Sequence, residues 1–130
     1  MKVIIGILIV LFILGVIFSA CTWTTGGNTE LVFPDKDITY MYHIKPFLEL
    51  NCSYSICHSE YYFAGGIALV EYHHIVNVPG FIIPTNPDGS IFVQILENRF
   101  THYTHFYRGN IKDNHIKGIR QWIIEGAINK

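Results

Sequence analysis

Beyond Met41 the chain has no methionine at all; its only two are Met1 and Met41. Charge is scarce too. Charged residues make up 15% of the 130 positions, and nine Lys and Arg against ten Asp and Glu leave a formal net charge of −1. No basic stripe marks a nucleic-acid surface, and no Gly-rich loop stands ready to cradle phosphates. The sequence offers no Ser-His-Asp set and no conspicuous carboxylate pair, so it points to no hydrolytic chemistry. Internal repeats and low-complexity tracts are also missing. What the chain does hold is seven histidines, three cysteines and an aromatic share of 15%.

One long apolar run stands apart. Residues 1–21 read MKVIIGILIVLFILGVIFSAC: Lys2 supplies a positive start, residues 3–18 are uncharged and apolar, and Ser19-Ala20-Cys21 follow. That is a signal-peptide pattern. With a cysteine directly after Ser-Ala, it resembles a bacterial lipoprotein signal, in which Cys21 becomes the lipidated first residue. The alternative is an uncleaved anchor helix, because residues 3–20 just reach the roughly 18–20 positions a spanning helix needs. Either way the remainder belongs in the cell envelope, on the periplasmic or extracellular side of a membrane.

Residues 21–36 include TWTTGGNTE and read as a tether, leaving residues 37–130 as one small domain. Ile38, Met41, Tyr42 and Leu48 fall on one face of a helical pattern, with Asp37 as its cap. Pro46 is awkward in a helix interior and opens a second short helix running to Asn51. Ala64-Gly65-Gly66 marks a turn. Residues 78–89 carry three prolines and exclude a regular helix. Ser90 caps a short helix with Ile91, Ile95 and Leu96 inward. In the last helix Asp113 is the cap, Ile116, Ile119, Trp122 and Ile123 share a face, and Gly126 is the stop. The expected class is all-α.

Residues 51–58 read NCSYSICH. C-x-x-C-H is the attachment signature of c-type haem: two thiols add to the porphyrin vinyl groups, and the adjacent imidazole binds iron. Here the spacer is two residues longer. Cys52 and Cys57 would sit about 140° apart on a helix, so the spacer must bulge outward for both sulfurs to meet one haem edge. A Cys52–Cys57 disulfide is the default reading for an exported protein. Zinc is a further reading, with an incomplete ligand set.

The surroundings of the motif carry a resemblance. IKPFLELNC (44–52), GGIAL (65–69), IPTNPDGS (83–90) and IRQWIIEGA (119–127) follow one another as in small bacterial cytochromes c of the planctomycete type. That family runs I-x-P-I-L-x-x-x-C-x-x-C-H, then a PGNPxxS stretch, then I-x-x-W-I-x-x-G-A. The resemblance implies a small cytochrome c-like domain around one covalent haem c. Cys52 and Cys57 would be the thioether donors and His58 the proximal iron ligand. Ile119, Trp122 and Ile123 would pack the last helix against the helix before Cys52.

The family supplies a Met-Pro pair opposite the proximal histidine; this chain instead reads THYTHFYRGN (101–110). His105 is the first candidate for the second iron ligand and His102 the alternative, while His73 and His74 are weaker. His43 and His115 read as structural or surface residues. Exchanging methionine for histidine lowers the potential. Tyr54, Tyr61, Tyr62, Phe63, Phe81, Phe92, Phe100, Tyr103, Phe106 and Tyr107 either pack an ordinary core or line the haem pocket. The expected function is a membrane-tethered monohaem electron carrier, bis-His and of low potential, rather than an enzyme. Its expected partners are redox proteins, a larger respiratory assembly or further copies of itself. Two alternatives remain: a non-haem exported lipoprotein with a Cys52–Cys57 disulfide, acting as a binding or structural module, and a five-coordinate haem protein that senses a gas or reduces peroxide.

Overall fold

A computed structural model describes residues 30–53, 56–102 and 110–130. The N-terminal run, Cys21 and His105 lie outside these residues. Leu31–Lys130 forms a compact unit, helical and without a strand among the described residues. It comprises a π-helical turn Tyr40–Ile44, α1 (Lys45–Asn51), a 3₁₀ turn Ala64–Gly66, α2 (Tyr72–Val76), α3 (Ile91–Leu96) and α4 (Asp113–Ile124). No described helix is long and apolar enough to cross a membrane.

The body begins upstream of Asp37. Phe33 is 3% exposed, and its backbone is clipped to Asn114 from both sides: Phe33 N–H donates to Oδ1 at 2.7 Å, and Asn114 Nδ2 donates back to its carbonyl at 2.9 Å. Asp37 caps nothing. It takes a left-handed φ of 58°, and its N–H donates to Glu125. The cap is Thr39, whose Oγ1 accepts from Tyr42 N–H at 3.3 Å.

The first helical stretch departs from the 3.6-residue count. Ile44 N–H reaches the Thr39 carbonyl five residues back at 3.4 Å, a wider turn that rotates later side chains away from an α-helical register. Tyr40, Ile44, Phe47 and Leu48 are therefore buried, whereas Met41 and Tyr42 are exposed, against the α-helical expectation. Pro46 occupies the first turn of α1, where its missing N–H breaks no bond.

At the other end, Ile119, Trp122 and Ile123 of α4 are fully buried and Ile116 half-buried. Lys112 rather than Asp113 precedes the helix as its cap residue. His115 Nδ1 accepts from Lys112 N–H at 3.1 Å. Its Nε2–H must then donate to the Leu31 carbonyl, at 2.8 Å. Gly126, at φ 98°, ends the helix in a conformation suited to glycine. The first and last described helical segments meet through rings: Phe47 with His115 at 5.4 Å and Tyr40 with Trp122 at 6.3 Å.

Between them, the proline-rich segment is shaped by turns. Ser90 stands at the N-cap of α3, but its Oγ makes no cap bond: it accepts from Ile83 N–H and donates to the Asn86 carbonyl, both at 2.9 Å, and so ties that loop. Along α3 the core face is Phe92, Val93 and Leu96. Ile91 and Ile95 are half-buried, for a reason that lies in the site.

Candidate functional site

α1 ends at Cys52, whose N–H donates to the Leu48 carbonyl at 2.7 Å. The chain then leaves the helix and returns: His58 N–H donates to the Cys52 carbonyl at 3.3 Å, and Ala64 N–H to the Cys57 carbonyl at 3.1 Å. A six-residue span closed on itself cannot continue as α-helix. Cys52, Cys57 and His58 consequently line one cavity. Spacer residues 54 and 55 lie outside the described residues.

The cavity has a volume of about 490 Å³, within the range of cofactor sites. Its walls are overwhelmingly apolar. Ile91 and Ile95, one helical turn apart, face it from α3; Phe81, Phe92 and Phe100 contribute rings. This accounts for the half-burial of Ile91 and Ile95, which line the cavity while packing against the edge of the core. Gly65 also lines it at φ 63°, where a Cβ would meet nothing within 4 Å. Tyr61, Tyr62 and Phe63 are exposed. Tyr54, Tyr103, Phe106 and Tyr107 lie outside the described residues.

His58 is held firmly. Its Nδ1 lies 2.9 Å from the Ile67 carbonyl, which can only accept, so Nδ1 carries the proton and Nε2 presents a lone pair. Facing that lone pair is Nε2 of His102, 3.5 Å away. The ring centroids are 5.8 Å apart and the ring planes differ by 20°. The centroid separation exceeds the nitrogen separation by about one ring's width, so the imidazoles are laid end to end along a common line. Partial desolvation, followed by the neighbouring His58, pulls the pKa of the surface-exposed His102 below the usual histidine value. Its neutral form is thereby favoured near pH 7.

Cys52 and Cys57 are free thiols. Burial, reinforced by Cys57, pushes the Cys52 thiol up to about 12. No cluster of three or more His, Cys, Asp or Glu side chains suited to a bare metal ion occurs among the described residues, whereas a structural zinc site needs four ligands.

Of the sequence-predicted site residues, Cys52, Cys57, His58 and His102 come together here; His105 and Cys21 lie outside the described residues. His73 and His74 meet edge to face, ring centroids 4.1 Å apart, and do not line the cavity. His43 accepts from Thr39 N–H at 3.1 Å. The lining role of Ile91 and Ile95 escaped the sequence reading, because an apolar helix face looks the same toward a core or a cofactor.

Neither protein-family models nor curated proteins nor solved structures give a match to this chain.

The donor set suits a metalloporphyrin. Two thiols and two opposed imidazole nitrogens lining one apolar cavity are donors that would suit covalent haem. The Nε2 atoms of His58 and His102, 3.5 Å apart, are the donors that would take its iron.

Proposed function

We propose that this chain is a monohaem c-type cytochrome that carries single electrons, tethered to the cell envelope through its N-terminal segment. The observation that carries the reading is the end-to-end pairing of His58 and His102, 3.5 Å apart, in a cavity shared with Cys52 and Cys57. Thioether bonds from the two cysteines would hold the haem, and His58 and His102 would ligate its iron. When bound, the group supplies a reversible ferric–ferrous couple.

The chain's own residues do the rest. The Ile67 carbonyl fixes the tautomer and orientation of His58. Phe81, Phe92, Ile91 and Ile95 exclude water, which limits the reorganisation that accompanies a change of charge. Two imidazoles favour a low potential compared with a Met/His pair. The helical architecture, with α1 leading into the cysteines and α4 packed near it, is compatible with the cytochrome c-like fold that the resemblance implies. Redox proteins or an envelope electron-transfer assembly are the partners that suit such a carrier.

The test is a haem stain on denatured protein produced alongside haem-attachment machinery, with the intact mass of the mature chain. Stain that survives denaturation, and the mass of one haem, support the reading. A Cys52–Cys57 disulfide in that material would replace it with a non-haem exported module. Lipid on Cys21 would appear in the same mass.

A further inference from the structure

The two opposed histidines are anchored very unequally. His58 is secured three times over: by Nδ1 to the Ile67 carbonyl, by its N–H to the Cys52 carbonyl, and by its carbonyl to Leu69 N–H at 2.8 Å. Cys57 precedes it directly. His102 has a single described polar contact, the one to His58. The last backbone hydrogen bond before it is Phe100 N–H to the Gln94 carbonyl, at 3.1 Å. Thr101 and His102 are both exposed, and His102 takes no part in the buried core. Among the described residues, His102 therefore has fewer polar tethers than His58.

We propose that His102 is a releasable ligand and that the position it leaves binds a neutral diatomic gas of the carbon monoxide or nitric oxide class. This inference rests on the haem reading above. The ligand class follows from the cavity walls. Ile95, Leu96, Phe100 and Ile111 line the same cavity as His102, and no charged residue is among the described lining. An incoming anion would lose its hydration with nothing to compensate it; a neutral diatomic loses little. In the exchange, one iron–nitrogen bond breaks and one bond from ferrous iron to the incoming carbon or nitrogen atom forms. With carbon monoxide, both the departing and the arriving ligand are neutral two-electron donors. The oxidation state and the charge of the site stay unchanged, and His102 keeps its lone pair. Such a site would stay closed in the absence of gas and open to it when ferrous.

The experiment uses the full-length haem-loaded protein, reduced with dithionite without oxygen and mixed rapidly with carbon monoxide. The Soret band should shift, at a rate that levels off as carbon monoxide rises, because release of His102 becomes limiting. Wild-type protein must first visit a minor open form, populated to about 0.1–10%. His102→Ala should therefore bind about tenfold more tightly or better and show no plateau. Added imidazole should restore the wild-type ferrous spectrum to His102→Gly. A wild-type spectrum unmoved by saturating carbon monoxide would overturn the proposal, and so would equal affinities in wild type and His102→Ala. Protein with covalent haem and no gas response overturns this inference alone. Protein without covalent haem overturns the electron-carrier reading with it, and the denatured-gel stain reveals that beforehand.

Discussion

Phe33 lies directly over Gly118, in the middle of α4. A methyl group built on Gly118 would collide with Cβ, Cγ and Cδ1 of the ring. Because Cβ is tied to the backbone, the ring cannot simply swing aside. Gly118→Ala should therefore destabilise the fold by about 1–3 kcal/mol, even though alanine is the better helix former. Urea unfolding measures this. An unchanged or raised midpoint would show that the N-terminal segment around Phe33 does not press on the helix.

Cys52 should be slow to react before any haem is attached. The thiolate is the reactive species, and burial holds this thiol near 12. In chain made without haem, at pH 8, alkylation of Cys52 should be about a hundredfold slower folded than in urea. Peptide mass spectrometry reads the site directly. The same shift has a stability sign. A pKa raised by folding contributes stability below the ordinary thiol value and loses it as pH rises toward 12, so the haem-free chain should weaken in alkali.

Glu125 joins the end of α4 to the start of the body. Its two carboxylate oxygens accept from Asp37 N–H at 2.9 Å and Ile38 N–H at 3.0 Å. Burial works to raise its pKa, but hydrogen bonds from Gln121 and from those backbone groups outweigh it and hold the carboxyl below its usual value. A depressed carboxylate contributes stability above its unfolded value and loses it as pH falls through the folded one. Glu125→Ala should cost about 1 kcal/mol at pH 7, after allowance for screening by water. The cost should fade in acid, below the ordinary glutamate range. A penalty of constant size from pH 7 down to pH 3 would argue against the carboxylate as its source.

If His58 and His102 ligate a haem iron as proposed, two predictions follow from their chemistry. Thioether ligation raises the haem potential relative to imidazole, so His102→Met should shift the midpoint upward in a redox titration, with covalent haem retained. A strongly positive midpoint in the wild type would be incompatible with two imidazoles. The rings are also only 20° from parallel. Parallel imidazoles act on the same iron d orbital and split the pair, so the ferric protein should give a rhombic low-spin signal in paramagnetic resonance. A single extreme low-field feature would mean crossed rings.

Much of this was readable before any coordinates. The order of Cys52, Cys57 and His58, the proline that must sit at a helix start, the turn at Ala64-Gly65-Gly66 and the apolar face of the last helix follow from local chemistry. Bond geometry and 3.6-residue periodicity act within a few positions, so the chain itself states them. The limits were equally physical. A π-helical turn at Tyr40–Ile44 broke the periodicity on which the Met41–Tyr42 face was counted. Asp37 looked like a cap, yet a carboxylate 88 positions away claims its N–H. Nothing local distinguishes Ile91 and Ile95 from core residues, or His102 from a surface histidine. Those choices depend on which distant segments fold onto one another. The local sequence determined that two cysteines and a histidine would present themselves together; only the tertiary structure brought His102 opposite His58, because that pairing joins residues 44 positions apart by packing alone.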